Sequence, residues 1–557
     1  MSAPSTPDAG DTAWVLACAG LVLFMTPGLA AFYGGMVRVR NVLAMLQQNM
    51  IALGVVSLTW VLVGYTIAFG DDAGSGLFGN LELLGLAGLK VPPAPHRHVV
   101  DGRITIPTLA FVAFQMMFAV ITPALVTGAT AGRLRFSGWV LFLAIWSIVV
   151  YAPVAHWLWH PGGWLATLGT QDWAGGLVVH ANAGAAVLAV LLVVGRRRDW
   201  PHTGAPPNSI PLTILGAGIL WFGWFGFNGG DGLQANGLAA QAVLNTHLAA
   251  AAAMLVWLAL ERIRDGHSTV VGGVSGAVAG LATVTPTAGY VTALSAVAIG
   301  ALAGLVCHLA LRLKYALRLD DALDVLAVHF VGGVLGTLLL GFLGDRGVNP
   351  LGRNGLFLGG GAGLLWRQLV GVVSVVAFSF VLTLTIAALV QALVGLRVPL
   401  TDQERLDRAQ QGTDAYHLGA VTGVAAPGAP RRPRASDGAR PAEPAPAPAT
   451  RTPRVRLVSA LLEPTRVTNS AELRDALLRA GAISITVADA AVAAAAPEPR
   501  ALPRGYWQEQ SFLARLHVHV LVPDDAVGHV RDVLDRFGAA GAETFVQDAE
   551  RIPEETA

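Results

Sequence analysis

The chain has 557 residues, 54% of them hydrophobic and 13% charged, against about 25% charged in an ordinary soluble globular protein. The charge is uneven: residues 1–396 hold 33 charged side chains and residues 397–557 hold 40. This partition excludes a soluble enzyme over residues 1–396 and a chain that is membrane-embedded to its end, and a net charge of +1 points to no nucleic-acid partner.

The first residues carry Asp8 and Asp11 and no base, the wrong start for a cleaved signal peptide. Eleven apolar stretches follow, near 13–36, 43–69, 107–131, 138–157, 175–195, 210–230, 239–260, 270–289, 290–311, 323–343 and 366–395. Each is close to the ~20 residues that cross ~30 Å of hydrocarbon as a helix. Helices are expected because a spanning segment must satisfy its own backbone. Only TPTAGY (285–290) separates the eighth stretch from the ninth. Arg38 and Arg40, Arg133 and Arg135, Arg196–Arg198, Arg262 and Arg264, and Arg312, Lys314 and Arg318 follow the odd-numbered stretches up to the ninth. The positive-inside rule places these loops in the cytoplasm, the N-terminus outside and the C-terminal tail inside. The intervening loops are poorer in base, with Lys90, Arg97, Arg103, Arg346 and Arg353. Cys18 and Cys307 lie in apolar runs, so neither a disulfide nor a cysteine metal site is indicated. Runs such as GGVSGAVAG (272–280) let helices pack closely.

Two histidines interrupt the apolar pattern. His180 sits in GGLVVHANAG (175–184) and His329 in DVLAVHFVGG (324–333), and both share V-H-x-x-x-G, with Gly184 and Gly333 completing the pattern. The histidines are 149 residues and five spans apart. Repetition after an odd number of spans inverts the second copy, which is how inverted-repeat transporters place a site at mid-membrane. An ionisable group within a span marks a functional site, and two facing imidazoles can share a proton. A core histidine bonded to a carbonyl is the structural alternative. Asp172, eight residues before His180, reads either as an N-cap or as a carboxylate that shapes a pore mouth and favours a cation.

These segments resemble the ammonium transporters of the Amt/Rh family over about residues 10–415. The matching runs are TPGLAAFYGGMVRVRNVL (26–43), DWAGGLVVHANAG (172–184), WFGFN (224–228), DDALDVLAVHFVGG (320–333) and VGLRV (394–398). The resemblance implies a homotrimer in the cell membrane with one pore per subunit. It makes His180 and His329 the twin pore histidines, Phe118 and Phe227 the stacked phenyl gate, and Phe114 and Trp159 the aromatic wall of an outer recruitment site. It makes Asp172 the vestibule aspartate and sets Trp224, Leu220, Phe32 and Asp324 on pore-helix positions. Aromatic faces attract a small cation by about 0.5–2 kcal/mol per contact. A bare charge is costly in apolar surroundings, so the implied route strips NH4+ of a proton and passes NH3. Asp231, after Asn-Gly-Gly, stands where many bacterial members carry Ser. It is expected at the recruitment site, or else as a solvated loop aspartate.

After residue 396 the chain turns polar. Residues 397–416 resemble the family's cytoplasmic regulatory stub. Residues 417–453 form a Pro/Ala/Arg-rich linker, with bases at Arg431, Arg432 and Arg434. Residues 454–553 alternate as βαββαβ: strands in 455–464, 483–489, 512–525 and 543–552, with helices at 470–481 and 526–538. That order suggests a ferredoxin-like sandwich. FLARLHVHVLVPDDAVGHVRDVLDRFG (512–538) resembles the PII signal-transduction proteins, trimers that dock under ammonium-transporter trimers, so an intramolecular PII-like partner is implied. The segment 490–511 has Pro503 where many members carry a modified tyrosine. FGAAGAETF (537–545) lacks the family's nucleotide-loop lysine, leaving Gly538 and Gly541 as its remnant. Nucleotide binding therefore does not carry over, and no cofactor is expected in the membrane domain.

The expected fold is an all-α polytopic membrane protein of eleven transmembrane helices in an inverted five-plus-five repeat, followed by a small α+β ferredoxin-like domain. The expected function is an ammonium channel or transporter with a tethered PII-like module. An ammonium receptor with little flux and a pore for another small neutral gas are the alternatives. No nucleophile–base or metal constellation points to an enzyme.

Overall fold

The computed structural model describes residues 7–89, 105–198, 200–201, 207–416, 455–462, 470–493, 512–536 and 544–549. The linker at 417–453, the loop around Pro503 and the glycines Gly538 and Gly541 lie outside them, as do Lys90, Arg97 and Arg103. The chain divides into two compact units, Met1–Val424 with a short later piece, and Ala425–Arg500 with Trp507–Ala557.

The first unit is helical. Its long helices are α1 (Ala9–Met36), α2 (Val42–Phe69), α3 (Thr108–Ala129), α4 (Phe136–Leu168, broken at 160–163), α5 (Gly176–Val194), α6 (Ile210–Gly232), α7 (Gly237–Asp265), α9 (Ala293–Ala316), α10 (Leu326–Leu343) and α11 (Gly363–Leu393). These ten are long and apolar enough to cross a membrane, so the chain is a multi-pass membrane protein. Large apolar side chains such as Leu255, Trp366, Val373 and Leu393 face outward, which a lipid surround accommodates.

The eighth stretch behaves differently from expectation. Helix α8 (Val270–Val284) has only 15 residues, where 270–289 was expected. Pro286 follows its end; it lacks an amide to continue the ladder, and its ring disfavours helix just before it. The glycine-rich pattern does serve packing: a Cβ on Gly276 would press on Trp257, and one on Gly280 on the Ala249 carbonyl, both on α7.

Capping explains several helix starts. Asp8 accepts from the Asp11 amide at α1, Ser209 from Leu212 at α6, Asn236 from Leu238 and Ala239 at α7, and Thr269 from Gly272 at α8. The α2 start is capped from far away in sequence. The carboxylate of Asp407, in the short helix α12 (Leu406–Gln411), accepts from Leu43 N at 3.1 Å and Ala44 N at 2.8 Å. Asn41 donates to the Gln403 carbonyl and accepts from Leu406 N, and Gln410 donates to the Leu134 carbonyl. The stub thus folds against the base-bearing loops after α1 and α3.

The second unit is a four-stranded antiparallel sheet in the order β2-β3-β1-β4. Its strands are β1 (Val455–Leu462), β2 (Ser484–Ala493), β3 (Phe512–Pro523) and β4 (Thr544–Ala549), with helices α13 (Ser470–Arg479) and α14 (Val527–Arg536) between β1 and β2 and between β3 and β4. Alternate residues Val458, Ala460, Val518, Val520 and Val522 bury one sheet face with Leu473 and Leu477 of α13 and Val530, Val533 and Leu534 of α14. Strand β2 runs four residues beyond the expected end at 489. Its Ala/Val tail pairs with Phe512–Arg515 across the hairpin.

Candidate functional site

His180 and His329 meet in the buried interior of the first unit. Each lies in a π-helical first turn, Gly176–Ala181 in α5 and Leu326–Phe330 in α10. Such turns widen a helix by one residue and recur at functional sites. The two Nδ1 atoms are 3.3 Å apart, and the rings lie with centroids 5.3 Å apart at 29°. This spacing suits one proton on the line between two neutral rings, because a second would set two N–H groups against each other.

The shared glycines explain how two helices bring imidazoles so close. A Cβ on Gly333 would stand 2.8 Å from the His180 Cβ, and a Cβ on Gly184 would stand 2.3 Å from the Cβ of Phe330, beside His329. Each repeat's glycine therefore makes room for the other repeat's histidine turn.

Beside the histidines is a narrow cavity of about 10 Å³, the room of roughly one water-sized molecule. Met25, Leu29, Phe32, Leu220, Trp224 and Phe227 line it together with both histidines. His180 Nε2 is buried and has no hydrogen-bond partner among the described residues. The Trp224 ring stacks near His180 at 5.5 Å, and its Nε1 donates to Thr285 Oγ1 at 2.9 Å.

The aromatic residues form a continuous column. Phe227 is 6.1 Å from His180, and Phe118 packs on Phe227 at 4.3 Å. Phe114 and Trp159 then meet Phe118 edge to face, at 5.0 Å and 5.6 Å. All four are buried.

Asp172 settles into a cap. Its Oδ1 accepts from Gly175 N and Gly176 N at 3.1 and 2.6 Å, and its Oδ2 from Leu177 N and Val178 N at 2.8 and 3.0 Å. All the orphan amides of the α5 start converge on one carboxylate. Burial pushes this carboxyl above its usual value, although the four amides pull the other way. Trp159 Nε1 donates to the Asp172 carbonyl at 3.2 Å, so the cap also fixes an aromatic of the column.

Asp231 is fully buried rather than solvated. Gln115 Nε2 approaches its Oδ1 at 3.5 Å, and the neighbouring Gly230 lies against the Phe114 ring. Asp324 is also accounted for: Lys314 Nζ bonds its Oδ1 at 2.6 Å, away from the cavity lining.

One carboxylate escaped the sequence reading. Asp321 stands eight residues before His329, as Asp172 stands before His180. Its Oδ2 accepts from Leu326 N at 2.7 Å, capping α10. The signal was the equal spacing, which the V-H-x-x-x-G comparison stopped short of. Next to it, Asp320 accepts from the side chain of Arg197 at 2.6 Å and lies 3.5 Å from Arg133. Burial works against this carboxylate, but Arg133 and Arg197 hold it below its ordinary value.

Comparison with known proteins agrees over the whole helical unit. A family model described as "Ammonium Transporter Family" matches residues 13–416. An "Ammonium transporter" of Mycobacterium tuberculosis is 45% identical over 444 residues, covering 76% of this chain and 93% of that protein. The crystal structure of Candida albicans Mep2 superposes with a TM-score of 0.67 at 33% identity, covering 74% of this chain and 94% of that one. A structure titled "Sensor Amt Protein" gives 0.65 at 29% identity, covering 72% of this chain and 98% of that one.

Proposed function

Because the chain belongs to the ammonium transporter family, we propose that it recruits NH4+ at Phe114, Trp159 and Asp231, removes a proton, and conducts NH3 past Phe118, Phe227 and the twin histidines. The carrying observation is the water-sized apolar cavity with two contacting imidazoles. It has no room for a hydration shell, so a retained charge would travel almost unsolvated. A neutral, water-sized molecule with both donor and acceptor character suits it. Loss of a proton also separates ammonium from alkali cations of similar size. The histidine pair accepts or returns the proton by exchanging which ring holds it.

The N-terminus is outside and the stub inside. The stub's contacts support this, since it touches the loops after α1 and α3, whose arginines mark the cytoplasmic side. Helix α8 counts as the eleventh span, extended by its following turn, and the helices pair as inverted fives about the histidines. The subunits form a trimer, with one pore in each. The strand order β2-β3-β1-β4 with two helices on one face supports a ferredoxin-like, PII-like regulatory domain.

A second reading has a specific observation behind it. The likeness to a structure titled "Sensor Amt Protein" favours an ammonium receptor that signals through the C-terminal domain. Uptake of methylammonium in cells lacking their own ammonium transport separates the two. Uptake that His180→Ala abolishes is expected. Binding with no uptake by the wild-type chain overturns the transporter reading.

A further inference from the structure

We propose that His156 and Asp72 form a binding site for a transition-metal dication of the zinc class, at the end of the bundle that carries Trp159. His156 lies in α4, three residues before Trp159, and Asp72 lies in the loop after α2. Neither belongs to the cavity or the aromatic column.

The hydrogen bonds determine which nitrogen is available. His156 Nδ1 is 3.0 Å from the Ala68 carbonyl oxygen. A carbonyl only accepts, so Nδ1 carries the hydrogen and the neutral ring presents a lone pair at Nε2. Nε2 is fully buried and lies 3.4 Å from Asp72 Oδ1, outside good hydrogen-bond geometry. That oxygen accepts from Gly76 N at 2.7 Å and Gly74 N at 3.3 Å, and these bonds favour its ionised form. Two acceptors thus face each other at 3.4 Å, an arrangement that repels until a cation joins them.

The spacing selects the cation. Zinc binds imidazole nitrogen and carboxylate oxygen at roughly 2.0–2.2 Å, so donors 3.4 Å apart subtend about 110° at the metal, the tetrahedral angle. The Nδ1–H bond to a backbone carbonyl is the support that metal-bound histidines commonly have. One imidazole with one carboxylate suits zinc-class dications over magnesium or calcium. The Asp72 side chain is 30% exposed, which gives an ion a way in from solvent.

Water completes the coordination, because among the described residues no group of three His, Cys, Asp or Glu side chains stands ready for one ion. The His160 ring stacks on His156 at 4.4 Å and 11°. Its Nδ1 accepts the Gly162 amide at 3.0 Å, and this bond keeps it out of the ligand set. Asp71, beside Asp72, and His160 are the other titratable neighbours. A proton on Nε2 also joins the pair, so metal and proton compete for it.

The test is calorimetric titration of zinc chloride into the purified full-length protein, without chelators, at about pH 7.5, where an ordinary imidazole is neutral. Histidines elsewhere also take up zinc, so the readout is the difference between variants. Asp72→Asn is expected to remove one zinc equivalent or weaken it at least ~10-fold, as is His156→Gln, while His160→Gln leaves it in place. Asp72 is on a surface loop, so Asp72→Asn carries the test should His156→Gln fail to fold. Identical isotherms for wild type and Asp72→Asn overturn the proposal and leave the pair to the proton alone.

Discussion

The two histidine turns share one scaffold and differ in their electrical surroundings. Each sits in a π-helical turn, each is followed by a glycine that admits the other, and each is preceded at eight residues by a capping aspartate. Asp172, however, gathers four amides and anchors Trp159, with no basic side chain among its partners. Asp321 caps through the Leu326 amide and lies within the influence of Lys314, near the Arg133–Asp320–Arg197 cluster. The aromatic column beside Asp172 therefore sets aromatic faces next to a carboxylate, a combination that attracts a cation. At the His329 turn the carboxylates are instead matched by cations, Asp320 by Arg133 and Arg197 and Asp324 by Lys314. The two turns are alike in shape and unlike in how their carboxylates are partnered.

Breaking the shared scaffold has the largest expected effect. Gly333→Val drives a side chain into His180, costing about 1–3 kcal/mol of overpacking and parting the two Nδ1 atoms. Uptake should vanish while the protein still reaches the membrane, and full uptake by this variant removes the need for imidazole contact. Next comes the cap. Asp172→Ala strands the α5 amides at about 0.5–2 kcal/mol, lowering the melting temperature and uptake together, whereas Asp172→Asn retains part of both. If the equivalent change at Asp321 proves more damaging, the two caps are ranked in the wrong order.

The unlike carboxylates are sharpened by smaller changes. Asp231→Ser removes a buried carboxylate beside Phe114 and is expected to weaken ammonium binding several-fold, on the order of 1 kcal/mol; unchanged affinity takes Asp231 out of the recruitment site. The smallest effect is a pH slope. Burial first, and the charge of Asp324 next, push the Asp321 carboxyl up to about 6. An unfolded aspartate releases its proton near about 4. Between these values the folded chain holds more protons, so this residue's contribution to stability falls as pH rises. Asp321→Asn should flatten that part of the melting-temperature profile, and a profile parallel to wild type assigns the slope elsewhere.

Much of this is legible in the amino-acid sequence. Apolar runs marked the spans because a membrane demands a local, continuous property. The histidine echo was legible because repetition survives in spacing. Asp172 was readable as a cap for the same local reason. The reach of Asp407 to the α2 amides was not, because the partners are more than 360 residues apart and nothing in either segment names the other. For Asp231 the fold removes the solvated alternative: a loop aspartate after two glycines looks exposed, yet it is buried against Gln115.

The sequence by itself determined that charge is sparse up to residue 396 and ordinary beyond it, that the two histidines recur in matching V-H-x-x-x-G segments, and that the last hundred residues alternate as strands and helices. Those are properties of neighbours along the chain. Tertiary structure alone decided that the two imidazoles touch at 3.3 Å, that each glycine serves the opposite repeat, and that His156 faces Asp72. Such contacts depend on how separate helices pack, and packing distances of a few tenths of an ångström are set by every side chain between them.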